Sequence, residues 1–361
     1  MTRASLTALL ALLALLLCAA APPARAAPEE ILRLGPARAA EELTVLGTTD
    51  VALFAPLLEA FAASAPGLGL RYEQWGSNDL FAFAMAACRG EGAAPDLIVS
   101  SAADQMVRLV NDGCARPHRS AATAALPPEA IWRDELFGVT REPAVMVYNR
   151  DLVPPSEAPR SRFDLIDLLR PEDSRYAGRV ATYDIEESGL GYLFAFADSQ
   201  AATTFGSLIE AFGRSGAVAT CCSAEIIDGV AQGRYLIAYN VLGSYALDRA
   251  AEDPRIGVAA PEDYTLVLSR AAMIPRDAPN PAAAGLFVDF MLSEAGRAAL
   301  TGQFLLTRPD PAAGAGSPGG GLPEDDASLY RPIRLSPALL LGLDAQKREA
   351  FLARWRATFP R

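Results

Sequence analysis

From residue 43 to residue 113, short apolar runs of strand length take turns with helical periodicities. Leu43–Leu46 is the first such run. Phe54, Leu57, Leu58 and Phe61 follow it at i, i+3, i+4 and i+7, the spacing of one helical face. Pro56 fits only a first helical turn, which predicts a helix starting near Leu53. Leu68–Glu73 and Asp96–Val99 predict two more strands, followed by helices ending near Cys88 and at Gly113. Ser77 is the expected N-cap of the first of these helices. Ser101 with Asp104 fits a capping box, with Asp in place of Glu, for the second. This strand–helix repetition is the order of a parallel sheet with right-handed crossovers. The polar turns Gly47–Asp50, Trp75–Asp79 and Ser100-Ser101 then fall on its carboxyl edge, where open α/β folds bind ligands.

A long β-rich run, Phe137–Asn149, is interrupted at Glu142-Pro143 and followed by Pro154, Pro155 and Pro159. It is the expected crossing to a second lobe. There Arg179–Tyr183 reads as a strand, Asp184–Gly191 as a polar turn with Ser188 capping, and Tyr192–Ala197 as a helix. Thr220–Ser223 caps a helix carrying Ile226, Ile227 and Val230. Tyr235–Tyr239 is a buried strand, Asn240–Ser244 a tight polar turn, and a helix starts at about Tyr245. Helix starts of this kind favour an anion, because their first N–H groups are unpaired and lie at the positive end of the helix dipole. Ile256–Val258, Thr265–Leu268 and Met273–Pro275 read as strands returning to the first lobe, and Ala282–Leu300 as a helix. Residues 309–323 read as a flexible Ala/Gly/Pro linker. Residues 330–361 form a tail with an amphipathic helix carrying Phe351, Trp355 and Phe359, read as packing back on a lobe. The expected division is 42–140 plus about 255–278 for the first lobe and 148–252 plus about 280–305 for the second.

The N-terminus changes the setting. Arg3, an apolar run from Leu6 to Ala21 and Ala24-Arg25-Ala26 read as a signal peptide over residues 1–26, cleaved near Ala26. Cys18 lies in that run, but Leu17 before it is too bulky for a typical lipoprotein site. Removing residues 1–26 takes away Arg3 and Arg25 and moves the net charge from −11 to −13. That charge argues against nucleic acid and anionic membranes as partners, though a local cleft can still attract an anion. Cys88, Cys114, Cys221 and Cys222 remain in an oxidising compartment. Cys88 ends one of these helices and Cys114 follows the end of the next, both at the opposite edge of the sheet, so a bridge between them is feasible; two buried free thiols are the alternative. For the adjacent Cys221-Cys222, small buried residues at a helix start are favoured over a vicinal bridge, whose Cα atoms would be closer than disulfides usually allow.

Together the exported N-terminus, Leu43–Asp50, Asp96–Ser101, Glu142–Asn149, Ser188–Tyr192 and Tyr239–Tyr245 resemble the bacterial extracellular solute-binding proteins of ABC importers. The closest branch is the ferric-iron/AfuA-like one, which includes phosphoglycerate-uptake binding proteins. The resemblance implies an α/β fold, the two-lobed periplasmic binding protein type II, with each lobe a mostly parallel sheet flanked by helices and with ligand in the cleft between them. It implies ligand contacts at Thr48, Thr49, Ser77, Asn78, Ser100 and Ser101 in the first lobe. In the second it implies Ser188, Gly189, Tyr192, Asn240, Ser244 and Tyr245. Glu142, at the lobe junction, would face the cleft or form a hinge salt bridge.

Ferric-binding relatives typically pair two adjacent tyrosines in the last second-lobe turn. Here that turn holds Tyr245 alone, and Tyr183, Tyr192 and Tyr239 lie elsewhere. The single histidine, His118, reads as a surface residue. Hydroxyls and helix starts therefore favour a small anionic solute, such as a phosphate ester or organic acid, over ferric ion. The expected protein is a monomeric periplasmic receptor without cofactor or catalytic residues. It would serve a permease or, alternatively, a receptor kinase. No Gly-x-Ser-x-Gly elbow, zinc spacing or Walker loop supports an enzyme.

Overall fold

The computed structural model describes residues 27–36, 38–201, 203–307 and 329–359. The signal peptide expected at residues 1–26 and the linker expected at 309–323 lie outside them. The chain first makes strands β1 (Glu30–Leu34), β2 (Glu41–Gly47), β3 (Leu68–Gln74), β4 (Leu97–Ser100), β5 (Ala115–Arg116), β6 (Ile131–Trp132) and β7 (Leu136–Gly138). Helices α1 (Val51–Ser64), α2 (Ser77–Cys88), α3 (Ala103–Asn111) and the short α4 (Ala121–Ala124) join them. Strand β8 (Glu142–Asn149) then opens the second lobe. It is followed by α5 (Arg162–Leu168), β9 (Val180–Tyr183), α6 (Gly189–Ala201), α7 (Phe205–Ser215) and β10 (Val218–Thr220). Next come α8 (Ser223–Ala231), β11 (Ile237–Leu242), α9 (Gly243–Glu252), β12 (Ile256–Ala259) and β13 (Thr265–Leu268). The chain returns as β14 (Ala271–Pro275), α10 (Pro281–Leu292) and α11 (Glu294–Gly302). It ends with β15 (Tyr330–Pro332), a 3-10 turn at Pro337–Leu343 and α12 (Ala345–Thr358).

The first sheet runs β1-β3-β2-β4-β14-β7-β6, with β5 beside β14. The second runs β10-β9-β11-β8-β13-β15, with β12 beside β8. Strand β2 is parallel to both β3 and β4, as the strand–helix repetition predicts. The sheets are nevertheless mixed rather than mostly parallel. Strand β14 runs antiparallel to β4 and β7, and β8 runs antiparallel to β11, β12 and β13.

Three boundaries differ from expectation. Helix α1 begins at Val51, so Pro56 sits in its second turn. The buried face of Val51, Leu53, Phe54, Leu57, Leu58 and Phe61 holds the helix across the proline's missing N–H. Strands β12 and β13 pair with β8 in the second sheet, and only β14 returns to the first. Residues 280–305, expected in the second lobe, pack on the first, where the Phe287 ring lies 4.6 Å from Phe61. Such packing depends on side chains more than two hundred residues apart in sequence, beyond the reach of local periodicity. The tail packs back as expected, with the Trp355 ring 4.5 Å from Phe359 and Phe359 against Phe212 of α7.

Cys88 and Cys114 are disulfide-bonded with Cα atoms 5.3 Å apart, clipping the end of α2 to the residue before β5. Closing a loop of this length contributes on the order of 3 kcal/mol. The Cys88→Ala/Cys114→Ala variant should therefore unfold in denaturant with a stability loss of about that size. An unchanged midpoint would mean that the bridge constrains nothing.

Candidate functional site

Two adjacent crossings join the lobes, residues 139–141 outward and Ser269-Arg270 on return. They are tied side by side, since Val139 N–H donates to the Arg270 carbonyl (2.9 Å) and Arg270 N–H to Thr140 Oγ1 (2.8 Å). Within this hinge lies a wholly buried ion pair, Arg270 Nε donating to Glu142 Oε1 at 2.9 Å. Glu142 also accepts from Thr140 Oγ1 and Ser244 Oγ, while Arg270 Nη1 reaches the Thr48 carbonyl at 3.3 Å. Of the two readings open for Glu142, the structure has the hinge salt bridge. Ser244 belongs to the same network, not to the cleft.

Between the lobes is a cavity of ≈ 90 Å³, room for about six to nine water-sized groups at roughly 10–15 Å³ each. Of the residues expected to touch ligand, Thr48, Ser77, Ser101, Ser188 and Tyr245 line it. Asn78 and Gly189 are not in its lining but tie the two lobes together. Asn78 Nδ2 donates to the Glu186 and Glu187 carbonyls at 3.0 and 2.9 Å, and Gly189 N–H donates to Ser77 Oγ at 2.9 Å. A Cβ on Gly189 would meet Gln105 Nε2 at 2.5 Å, so any larger residue there must displace the Gln105 amide from between the lobes. Tyr245 makes the third cross-lobe contact. Its Oη donates to Asp50 Oδ1 (2.8 Å) and accepts from Asp50 N–H (3.0 Å).

The other expected contacts lie elsewhere. Thr49 and Ser100 are buried behind the turn; Tyr72 Oη bridges the Thr49 backbone, and Ser100 Oγ accepts from Ala102 N–H. Tyr192 points into the tail, its hydroxyl donating to the Gly342 carbonyl and its ring stacked on Phe196. Asn240 is not in a turn. It forms a bulge within β11 at φ 63°, and its amide donates to buried Asp198 at 3.0 Å. A side-chain amide with an alternative partner in the lobe core explains this placement. Ser77 is the first residue of α2, not its cap, and its hydroxyl serves the other lobe instead. Ser101 likewise bonds Thr48 Oγ1 rather than capping α3. His118, expected at the surface, is partly buried and pairs with Asp289 at 2.9 Å, away from the cavity.

Sequence reasoning missed Glu29, Gln74, Trp75 and Asp50. Gln74 Nε2 donates to Glu29 Oε2 at 2.9 Å and lies 3.5 Å from Asp50 Oδ1, so two carboxylates meet at one amide. Asp50 and Trp75 stood within polar turns already singled out, and Glu29 is brought in by β1, a strand the periodicity did not reveal. From the second lobe come Tyr183, Glu187, Leu190, Ser223 and Leu242, together with a vicinal Cys221–Cys222 disulfide. The favoured expectation for that pair, two ordinary small residues, is thus corrected; the bridge lines the cleft where Cys222 caps α8.

Among the described residues the lining has no Lys, Arg or His and includes three carboxylates, Glu29, Asp50 and Glu187. Five helices, α1, α2, α6, α8 and α9, begin at it. Burial pushes the Tyr183 hydroxyl up to about 12 and raises Tyr245 well above its ordinary value. Both phenols therefore act as neutral hydrogen-bond partners.

Two α/β lobes hinged by paired crossings around a cavity that carries hydroxyl and carboxylate side chains from both lobes define a ligand-capturing receptor. The family described as bacterial extracellular solute-binding protein matches residues 47–298, and the chain belongs to that family, whose members are transport receptors rather than enzymes. It is similar to the substrate-binding protein of an ABC transporter from Agrobacterium tumefaciens. The identity is 30% over 94% of this chain and 100% of that one, with a TM-score of 0.84. The same fold appears in iron-bound HitA from Pseudomonas aeruginosa (18% identity, 88% and 99% coverage, TM-score 0.66). It appears again in the periplasmic protein AfuA from Actinobacillus pleuropneumoniae with fructose-6-phosphate bound (15%, 89% and 99%, 0.68). No curated protein sequence matches the chain.

Proposed function

We propose that this chain is a periplasmic receptor that hands a small zwitterionic solute to the membrane subunits of an ABC importer. The acid pair at Gln74 supports an ammonium group on the first lobe. The starts of α6 and α8, with the Ser188, Ser223 and Tyr183 hydroxyls, suit a carboxylate or phosphonate on the second. The observation that carries this reading is the meeting of Glu29 and Asp50 at one amide in a cavity with no basic side chain. A purely anionic solute would meet those carboxylates with no basic side chain among the described lining residues. Ferric ion is the weaker alternative. Only Tyr183 and Tyr245 of the four tyrosines reach the cavity, and burial opposes ionising them.

Isothermal titration with a matched panel tests this: short amino acids and aminoalkylphosphonates, the same acids without the amine, and the same amines without the acid. The expected result is that Asp50-dependent binding is confined to zwitterions, which Asp50→Asn weakens at least tenfold, since hydrogen bonds to charged groups are worth about 1.5–3 kcal/mol. Equal binding of a plain phosphate or carboxylate, indifferent to Asp50→Asn, would return the solute to the anionic class. Visible tyrosinate colour with ferric ion would favour iron.

A further inference from the structure

A second and larger cavity, of ≈ 480 Å³, lies apart from the cleft where α3 of the first lobe, α6 of the second and the tail meet. Its walls are apolar for the most part, made by Leu193, Phe196, Ala197, Leu266, Ile333 and Leu339. Asp104, the second residue of α3, also lines it. Asp104 is only 2% exposed, and its Oδ1 has no hydrogen-bond partner. A buried carboxyl oxygen left unpaired keeps its full desolvation penalty, so native structures rarely keep one without a use. Burial pushes this carboxyl up to about 7, countered only in part by the Gln105 and Asp104 N–H groups and by Arg348. The start of α3 adds a preference for the ionised form.

An apolar chamber with a buried carboxyl on its wall, one of whose oxygens has no partner, is complementary to an apolar body carrying an ammonium group. Two arginines also line the chamber. Arg331 is already engaged, donating to the Ala201 carbonyl at 2.7 Å and lying 4.3 Å over the Tyr264 ring, and Arg334 is exposed. An acidic amphiphile could use these arginines, but it would leave Asp104 buried and unpaired beside it. We propose that this cavity is a second binding site, for a small organic amine with an aromatic or branched aliphatic body, its ammonium seated on Asp104. The site lies apart from the cleft, and it shares no lining residue with the solute cavity. Asp104 and the cleft-lining Ser101 share the start of α3 but face different cavities.

Isothermal titration of the purified protein with 2-phenylethylamine, 2-phenylethanol and 3-phenylpropionate tests the proposal. The amine should bind, and the alcohol and acid should bind at least tenfold more weakly. Asp104→Asn should weaken the amine at least tenfold, and Ala197→Trp, which fills the chamber, should abolish its binding. Both variants should keep a cooperative thermal transition. Asp50→Asn, in the cleft, should leave amine binding unchanged, which separates this site from the zwitterion subsite. Failure of the amine to bind would overturn the proposal. So would equal binding of the acid, or amine binding that survives Ala197→Trp or is lost with Asp50→Asn.

Discussion

Arg270→Met should destabilise the protein by about 3–5 kcal/mol, the largest loss expected of any single substitution in the hinge. Arg270 and Glu142 are both wholly buried, and the guanidinium makes two contacts to the carboxylate, at 2.9 and 3.3 Å. Removing it leaves Glu142 charged and enclosed, with only the hydroxyls of Thr140 and Ser244 to solvate it. It also removes the contact to the Thr48 carbonyl, which ties the hinge to the cleft wall. Adding Glu142→Leu should recover much of the loss, because an apolar pair of similar volume carries no stranded charge. Urea unfolding of the two single variants and the double variant is the measurement. A double variant no more stable than Arg270→Met would show that packing around the pair, not the stranded carboxylate, sets the cost.

Tyr245→Phe should act on binding rather than on stability. The hydroxyl joins the second lobe to Asp50 at the start of α1, both giving and accepting a hydrogen bond. Without it the closed arrangement loses a contact made to a carboxylate, worth about 1.5–3 kcal/mol, or roughly 10- to 150-fold in affinity. The ring stays in its apolar setting, so the unfolding midpoint should hardly move. Titration with the zwitterion selected by the panel, beside small-angle scattering of the free protein, checks both halves. Affinity equal to that of the unsubstituted protein would remove Tyr245 from the closing mechanism.

Much of the scaffold was readable because its signals are local. The parallel core of β2, β3 and β4 follows from apolar runs and helical spacing within seventy residues. The exit from the first lobe was visible in the break at Glu142-Pro143. Mispairing began where strands meet across long separations. Strands β12 and β13 look like β14 in composition, and only the antiparallel register against β8 assigns them to the second sheet. At the cleft, Thr48, Ser77, Ser101, Ser188 and Tyr245 were recognisable as hydroxyls at strand-to-helix turns. Asn240 and Tyr192 had the same local look, yet the lobe core and the tail took their polar atoms.

What the sequence determined by itself was the class of the protein. Strand-to-helix turns set hydroxyls and helix starts on sheet edges, and the spacing of those turns is local chemistry. The tertiary structure alone decided the electrostatics of the site. Glu29 and Asp50 are neighbours only because β1 pairs with β3 and returns residue 29 to the cavity rim, 21 positions before Asp50. The proposed preference for a solute bearing a positive charge therefore rests on a pairing between strands that no local pattern announces. A carboxylate's effect on a ligand depends on distances that folding sets, and a one-dimensional pattern does not contain them.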